Sequence, residues 1–177
     1  VQADGARRSP KTAGFTTMKL WDMQSRQLAS VTGDARIQCA VFSPDGSRIV
    51  TVSSDKTAKL WDLRGNLLAG MKKHSDAVTK AVFSHDGTRI LTLSRDDTAR
   101  LWDAAGNLLA ALDKHSGEVL DAVFNADGSR IITVSSDRTV KSWYTPEAIM
   151  DWLDTAAIPN LTEEEKKDLG IADFDID

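Results

Sequence analysis

Residues 98–103 read "TARLWD". The same phrase stands at 57–62 as "TAKLWD", at 17–22 as "TMKLWD" and, altered, at 139–144 as "TVKSWY". Trp21, Trp61, Trp102 and Trp143 are thus 40, 41 and 41 residues apart. Other phrases keep this step. "FSPDGSR" (42–48), "FSHDGTR" (83–89) and "FNADGSR" (124–130) each place a glycine 15 residues before a tryptophan, and "GNLLAGMKKHSDAV" (65–78) returns as "GNLLAALDKHSGEV" (106–119). Self-similarity at a period of about 40–45 residues signals a repeat architecture.

Within one copy the pattern is that of short strands. "AVTKAVFS" (77–84) is apolar and β-branched, "HDGTR" carries an Asp-Gly turn, "RILTLS" (89–94) alternates, and "TARLWD" and "LLAAL" (108–112) are separated by "AAGN". Strands of five to eight residues between Gly, Asp and Asn turns predict an antiparallel meander of four strands. A single such sheet has two apolar faces and buries neither alone, so copies must stack on one another.

The Trp-Asp endings, the "DGSR" turns, the acid six residues before each tryptophan and the histidine leading each repeat resemble the WD-repeat family of β-propellers, over roughly residues 4–144. The expected fold is therefore all-β: a partial β-propeller of four-stranded antiparallel blades with a short helical C-terminal tail. The expected units are a degenerate partial blade at 1–35, blades at 36–75 and 76–116, a blade at 117–144 lacking its outer strand, and a helical cap or tail at 145–177.

The resemblance also implies a hydrogen-bonded tetrad of Trp, Ser or Thr, Asp and His in each blade, running from indole N–H to hydroxyl to imidazole to carboxylate. Carried over by position, it falls on His74, Ser94, Asp96 and Trp102, and on His115, Ser135, Asp137 and Trp143. Ser53, Asp55 and Trp61 form an incomplete third set, in which Gly33 stands in place of the histidine. Ser, His and Asp together also spell a hydrolase triad. That reading is rejected because the set recurs with the structural period, whereas a nucleophile is needed once, with an oxyanion hole. No Cys or His pair has zinc-ligand spacing, the Asp-Gly turns lack the acid ladder of a calcium loop, and there is no Gly-rich loop followed by Lys and Ser or Thr. No metal, cofactor or enzymatic activity is expected.

In the family, partners bind the narrow face of the ring through side chains that open the first strand and precede the tetrad acid. In this chain these are Arg36, Gln38 and Ser54; Ala77, Thr79 and Arg95; and Glu118, Leu120 and Ser136. The implied function is a non-catalytic protein-interaction scaffold. Alternatives are a propeller remnant whose only property is assembly, and an enzyme sited in a central channel, for which no cluster of non-repeating carboxylates or histidines is found.

Both ends of the repeat are damaged. At the start, Pro10 interrupts what would be a central strand, and Ala13 and Phe15 stand near the tetrad positions, leaving credible strands only at 17–22 and 27–32. At the far end Tyr144 replaces the acid, Pro146 ends the strand and no "GNLLA" follows. Copies of about two, four, four and three strands do not close a ring of four to eight blades. Either a longer chain supplies the rest, or a second copy completes a seven- or eight-bladed ring, its 27–32 strand pairing with the fourth blade.

The tail changes period. Pro146, Ile149, Trp152, Leu153 and Ala156/Ala157 predict an amphipathic helix, and Thr162, Glu165 and Gly170 a second one with capping box and C-cap. The arrangement resembles the C-terminal end of large bacterial WD-repeat proteins whose repeats follow a signalling NTPase module.

Charge and cysteine content narrow the partners. The net charge of −4 divides into +4 for residues 1–144 and −8 for residues 145–177. Bases scattered among acids argue against nucleic acid, and no apolar run reaches the roughly 18 residues of a membrane helix. Cys39 is the single cysteine, which suits a reducing, cytoplasmic compartment.

Overall fold

A computed structural model describes residues 16–21, 23–33 and 35–155. The expectations placed on Pro10, Ala13, Phe15 and the second tail helix lie outside the described residues. Thirteen strands make four sheets among these residues, and within each sheet every strand pairs antiparallel with its predecessor. The first is a two-stranded ribbon of β1 (Thr16–Trp21) and β2 (Gln27–Gly33). The second orders β3 (Ile37–Phe42), β4 (Arg48–Ser53), β5 (Ala58–Asp62) and β6 (Leu67–Met71). The third repeats it with β7 (Val78–Phe83), β8 (Arg89–Ser94), β9 (Ala99–Asp103) and β10 (Leu108–Leu112). The fourth stops at three strands: β11 (Val119–Phe124), β12 (Arg130–Ser135) and β13 (Val140–Tyr144).

The turns recur with the strands. Gly46, Gly87 and Gly128 take φ of 67°, 69° and 72° in the first turn of their sheets, a left-handed conformation that costs glycine little. The Trp-Asp dipeptide has a local cause. Asp62 accepts from the backbone N–H of Arg64 and Asn66 and from the Asn66 side chain, and Asp103 does the same with Ala105 and Asn107. The aspartate therefore caps the turn into the outer strand. Tyr144 cannot do so, and there the chain turns instead into a helix, α1 (Pro146–Thr155), whose first bond runs from Ile149 N–H to the Thr145 carbonyl.

Stacking buries both faces of the inner sheets. One face of the second sheet, with Val50, Val52, Ala58, Leu60 and Met71, packs against the tryptophan face of the third, with Val78, Ile90 and Trp102. The opposite face of the third sheet, with Leu91, Leu93 and Leu101, packs in the same manner on Val119, Phe124 and Ile131 of the fourth. Each fully buried Leu or Val contributes about 1.5–3 kcal/mol, so the sheets are stable only as a stack. Two glycines permit this approach. A Cβ on Gly106 would lie 3.0 Å from that of Ala69, and one on Gly65 would lie 3.3 Å from Val31 Cγ2 and 3.5 Å from Ala29 Cβ. Polar clamps follow the same step: Arg48 Nη2 donates to the Gly87 carbonyl at 2.8 Å, and Arg89 Nη2 to that of Gly128 at 3.0 Å.

Candidate functional site

The polar network in each of the second, third and fourth sheets is centred on a threonine. Trp102 Nε1–H donates to Thr92 Oγ1 at 2.8 Å, Thr92 Oγ1 lies 2.8 Å from His74 Nε2, and His74 Nδ1 lies 2.9 Å from Asp96 Oδ2. In the fourth sheet Trp143, Thr133, His115 and Asp137 repeat this, each link at 2.8 Å. In the second sheet Trp61 Nε1–H donates to Thr51 Oγ1 at 2.8 Å, and Gly33, at the end of β2, brings no imidazole. The positional assignment of Ser53, Ser94 and Ser135 to the hydroxyl place is therefore corrected to Thr51, Thr92 and Thr133.

The reason is register. Trp102 pairs with Ile90 across β8 and β9, so its indole lies over the next same-face residue, Thr92. The serines sit at the strand ends and serve the turns. Ser53, Ser94 and Ser135 donate to the carbonyls of Arg36, Asp76 and Gly117, and accept from the N–H of Asp55, Asp96 and Asp137.

The indole can only donate to Thr92, and with His74 neutral the threonine proton serves its Nε2 while its Nδ1–H donates to the Asp96 carboxylate. The electrostatics agree. Burial, opposed by the neighbouring Asp96, holds His74 below its ordinary 6.5. Asp96 is pushed up by burial, but donation from Thr98, the Ser75 N–H and His74 outweighs this and holds it at about 2. Asp137 is lowered chiefly by the Thr139 hydroxyl, with His115 adding to it against burial. Oriented Ser, His and Asp groups lie close together here. The His74 imidazole, however, is held on both sides, by Thr92 and by Asp96, and is buried, which is the setting of a supporting group.

The nine residues of the expected partner face line up at one end of the strands. Backbone bonds from Ser54 N–H to the Arg36 carbonyl, Arg95 to Ala77, and Ser136 to Glu118 set one pair per sheet in equivalent places. Arg36, Gln38, Ser54, Arg95, Leu120 and Ser136 are exposed, and Thr79 and Glu118 are partly so. Ala77 is corrected: at 8% exposed it belongs to the core, where its N–H meets Asp76. Arg95 Nε lies 3.5 Å from Glu118 Oε1 on the next sheet, so it ties two sheets together at the surface. Leu120, which occupies the β11 bulge, is the large apolar side chain left in water on this face.

At the opposite end of the strands a cleft of about 550 Å³ lies between the Asp-Gly turns and α1, lined among others by Asp86, Arg89, Asp103, Asp127 and Glu147. Its carboxylates have local work. Asp86 is held at about 2 chiefly by Ser84, with Thr88 adding to it, Asp103 and Asp127 accept from their own turns, and Glu147 meets Arg89 Nη1 at 3.0 Å. No group of three or more potential metal ligands occurs among the described residues.

The family described as "WD domain, G-beta repeat" matches residues 25–62, 65–103 and 106–144. The chain belongs to the WD-repeat family. The three matched WD segments are offset from the sheets by one strand. Each opens on the outer strand of one sheet and closes on the third strand of the next, so the sequence repeat itself straddles neighbouring blades of a partial propeller.

Among curated proteins this WD-repeat chain is 42% identical over 48 residues to the nuclear distribution protein nudF of Aspergillus flavus, covering 27% of this chain and 10% of that one. It is 44% identical over 48 residues to nudF 2 of Aspergillus clavatus, covering 27% and 11%. To nudF 2 of Talaromyces marneffei it is 34% identical over 67 residues, covering 36% and 15%. The chain therefore spans between a tenth and a sixth of the length of these relatives. The resemblance to bacterial WD-repeat proteins finds no counterpart among these fungal sequences. No helix among the described residues is long and apolar enough to cross a membrane.

Proposed function

We propose that this WD-repeat chain is a non-catalytic scaffold that captures a protein partner on the strand end carrying Arg36, Gln38, Ser54, Thr79, Arg95, Glu118, Leu120 and Ser136. The observation that carries the reading is the contrast between ends and interior. The Trp–Thr bond repeats in three successive sheets and the full Trp–Thr–His–Asp set in the last two, while the side chains presented at this end differ at every step. A constant frame displaying varied, exposed groups is what selective binding needs. Leu120 is the apolar anchor of this surface, and the Arg95–Glu118 pair beside it is a polar rim.

The same reading places the chain as part of a larger bacterial WD-repeat protein or as a self-assembling half propeller, in the cytoplasm. Four stacked sheets with one incomplete edge at β13 support it, as do the helix that follows β13 and the lone, partly buried Cys39. The units 36–75, 76–116 and 117–144 are its proposed blades, 1–35 its partial first blade and 145–177 its cap. Quantitative pull-down comparing wild type, Leu120→Asp and Arg95→Glu tests the partner face. Leu120→Asp is expected to abolish capture and Arg95→Glu to weaken it, with the melting temperature unchanged. Capture untouched by both refutes the assignment.

A further inference from the structure

We infer that the outer face of the fourth sheet docks a second copy of this chain, which applies the Trp21 face of its β1–β2 ribbon. This rests on the reading of the chain as a self-assembling half propeller and specifies which surfaces meet.

Stacking in this molecule has a polarity. The second, third and fourth sheets turn their tryptophan faces toward the preceding sheet, and the first three turn their other faces toward the following one. Three successive contacts obey this order: Ala29 and Val31 on Gly65, Ala69 on Gly106, and the Leu91–Leu93–Leu101 face on Ile131 and Phe124. A stack with this polarity has two unlike ends, each the complement of the other. At one end, β1 and β2 point Ala29 and Val31 inward, so Trp21, on the opposite face, stands 52% exposed.

At the other end, Val123, Ile132, Val134 and Val140 occupy the places held in the third sheet by Val82, Leu91, Leu93 and Ala99. Leu91, Leu93 and Ala99 are wholly buried; their counterparts and Val123 are between 38% and 66% exposed. Ser142, at the place of Leu101, is the one polar substitution. Contiguous apolar surface of this kind on a soluble domain marks an interaction site.

The arginine clamp ends at the same place. Arg48 and Arg89 each reach a glycine carbonyl of the next sheet. Arg130, the next in the series, turns back instead, its guanidinium 4.6 Å from the centre of the Tyr144 ring and its Nη2 2.8 Å from the Tyr144 hydroxyl. Apolar and polar halves of the internal contact thus both recur, uncovered, on the last sheet. One chain carries both complementary ends, so the occupant that continues the internal contact is another copy, joined head to tail. Such a heterologous contact closes into a ring or runs on as an open string.

The test is light scattering of the full chain with paired variants. Wild type is expected at twice the 19.3 kDa of one chain, or a higher multiple if the string stays open. Val134→Glu and Trp21→Glu should each return the mass to a single chain with unchanged circular dichroism and melting temperature. If Val134→Glu unfolds, Val140→Glu, the more exposed, replaces it. Mixing the two variants should restore a two-copy species and nothing larger, because each supplies the face the other lacks. A single-chain mass for wild type overturns the self-assembly reading itself. A mass that stays double in Trp21→Glu but not in Val134→Glu means that the outer face pairs with itself or with another surface, and overturns only the docking inferred here. A mixture that stays single overturns it equally.

Discussion

Replacing Thr92 by valine isolates the centre of the buried network. The substitution keeps the shape and removes one hydroxyl, which leaves two buried groups unanswered: the Trp102 indole N–H and His74 Nε2, both now 2.8 Å from the oxygen. Each unsatisfied buried polar group costs about 1–3 kcal/mol, so the expected loss is about 2–5 kcal/mol, offset slightly by the gained methyl. For a chain of this size about 1 kcal/mol moves the melting temperature by roughly 2–4 °C, which puts the shift on the order of 10 °C. Thr92→Ser is the control. It keeps the hydroxyl and loses one buried methyl, about 1 kcal/mol. Chemical denaturation followed by tryptophan fluorescence reads both. If Thr92→Ser proves as costly as Thr92→Val, the side chain matters for packing and the threonine-centred network is refuted.

Three further outcomes follow from the same contacts. Gly33→His should supply the missing imidazole between Thr51 and Asp55 and raise stability by about 1 kcal/mol; a fall in the denaturation midpoint would show that the second sheet does not share the arrangement of the third. Gly128→Ala should cost more than Gly46→Ala. Both meet the left-handed penalty of about 1–2 kcal/mol, but a Cβ at 128 would stand 2.5 Å from Arg89 Nη2 and evict it, whereas nothing lies within 4 Å at 46; equal melting temperatures would contradict the clamp. Stability should fall on acidification in two stages. Folded His74 titrates below 6.5, so its contribution is intact above that value and is lost as pH drops toward the folded pKa, where only the unfolded chain has taken the proton. Asp96 adds a second decline between about 3.8 and about 2. Denaturation midpoints that rise between pH 7 and pH 5 would contradict the first stage, and His74→Gln should flatten it.

The strand order and the stacking were legible because they are written periodically: the Asp-Gly turns, the Trp-Asp endings and the alternating "RILTLS" each recur. The partial first ribbon, the missing outer strand after Trp143 and the helix from Pro146 were likewise visible, since a lost turn residue and a proline leave direct traces. The hydroxyl of the network was misplaced by two residues. Ser94 and Thr92 lie on the same face of one strand, and only the pairing of Trp102 with Ile90 decides which one the indole reaches. A signal was present nonetheless: Thr51, Thr92 and Thr133 repeat as faithfully as the serines. The tying of Arg95 to Glu118 depends on the neighbouring sheet and has no local signature. The arginine clamps were invisible for a different reason, because their acceptors are backbone carbonyls, which every residue possesses.

The central claim is that the sheets stack face to face with one polarity, and a nuclear Overhauser spectrum of the folded chain tests it most directly. The account predicts cross-peaks between the Gly106 α-protons and the Ala69 methyl, and between those of Gly65 and the Ala29 and Val31 methyls, because these glycines stand against those side chains in the neighbouring sheet. A spectrum showing the contacts within each sheet, such as Leu101 with Ala110, but none of these between sheets would contradict it.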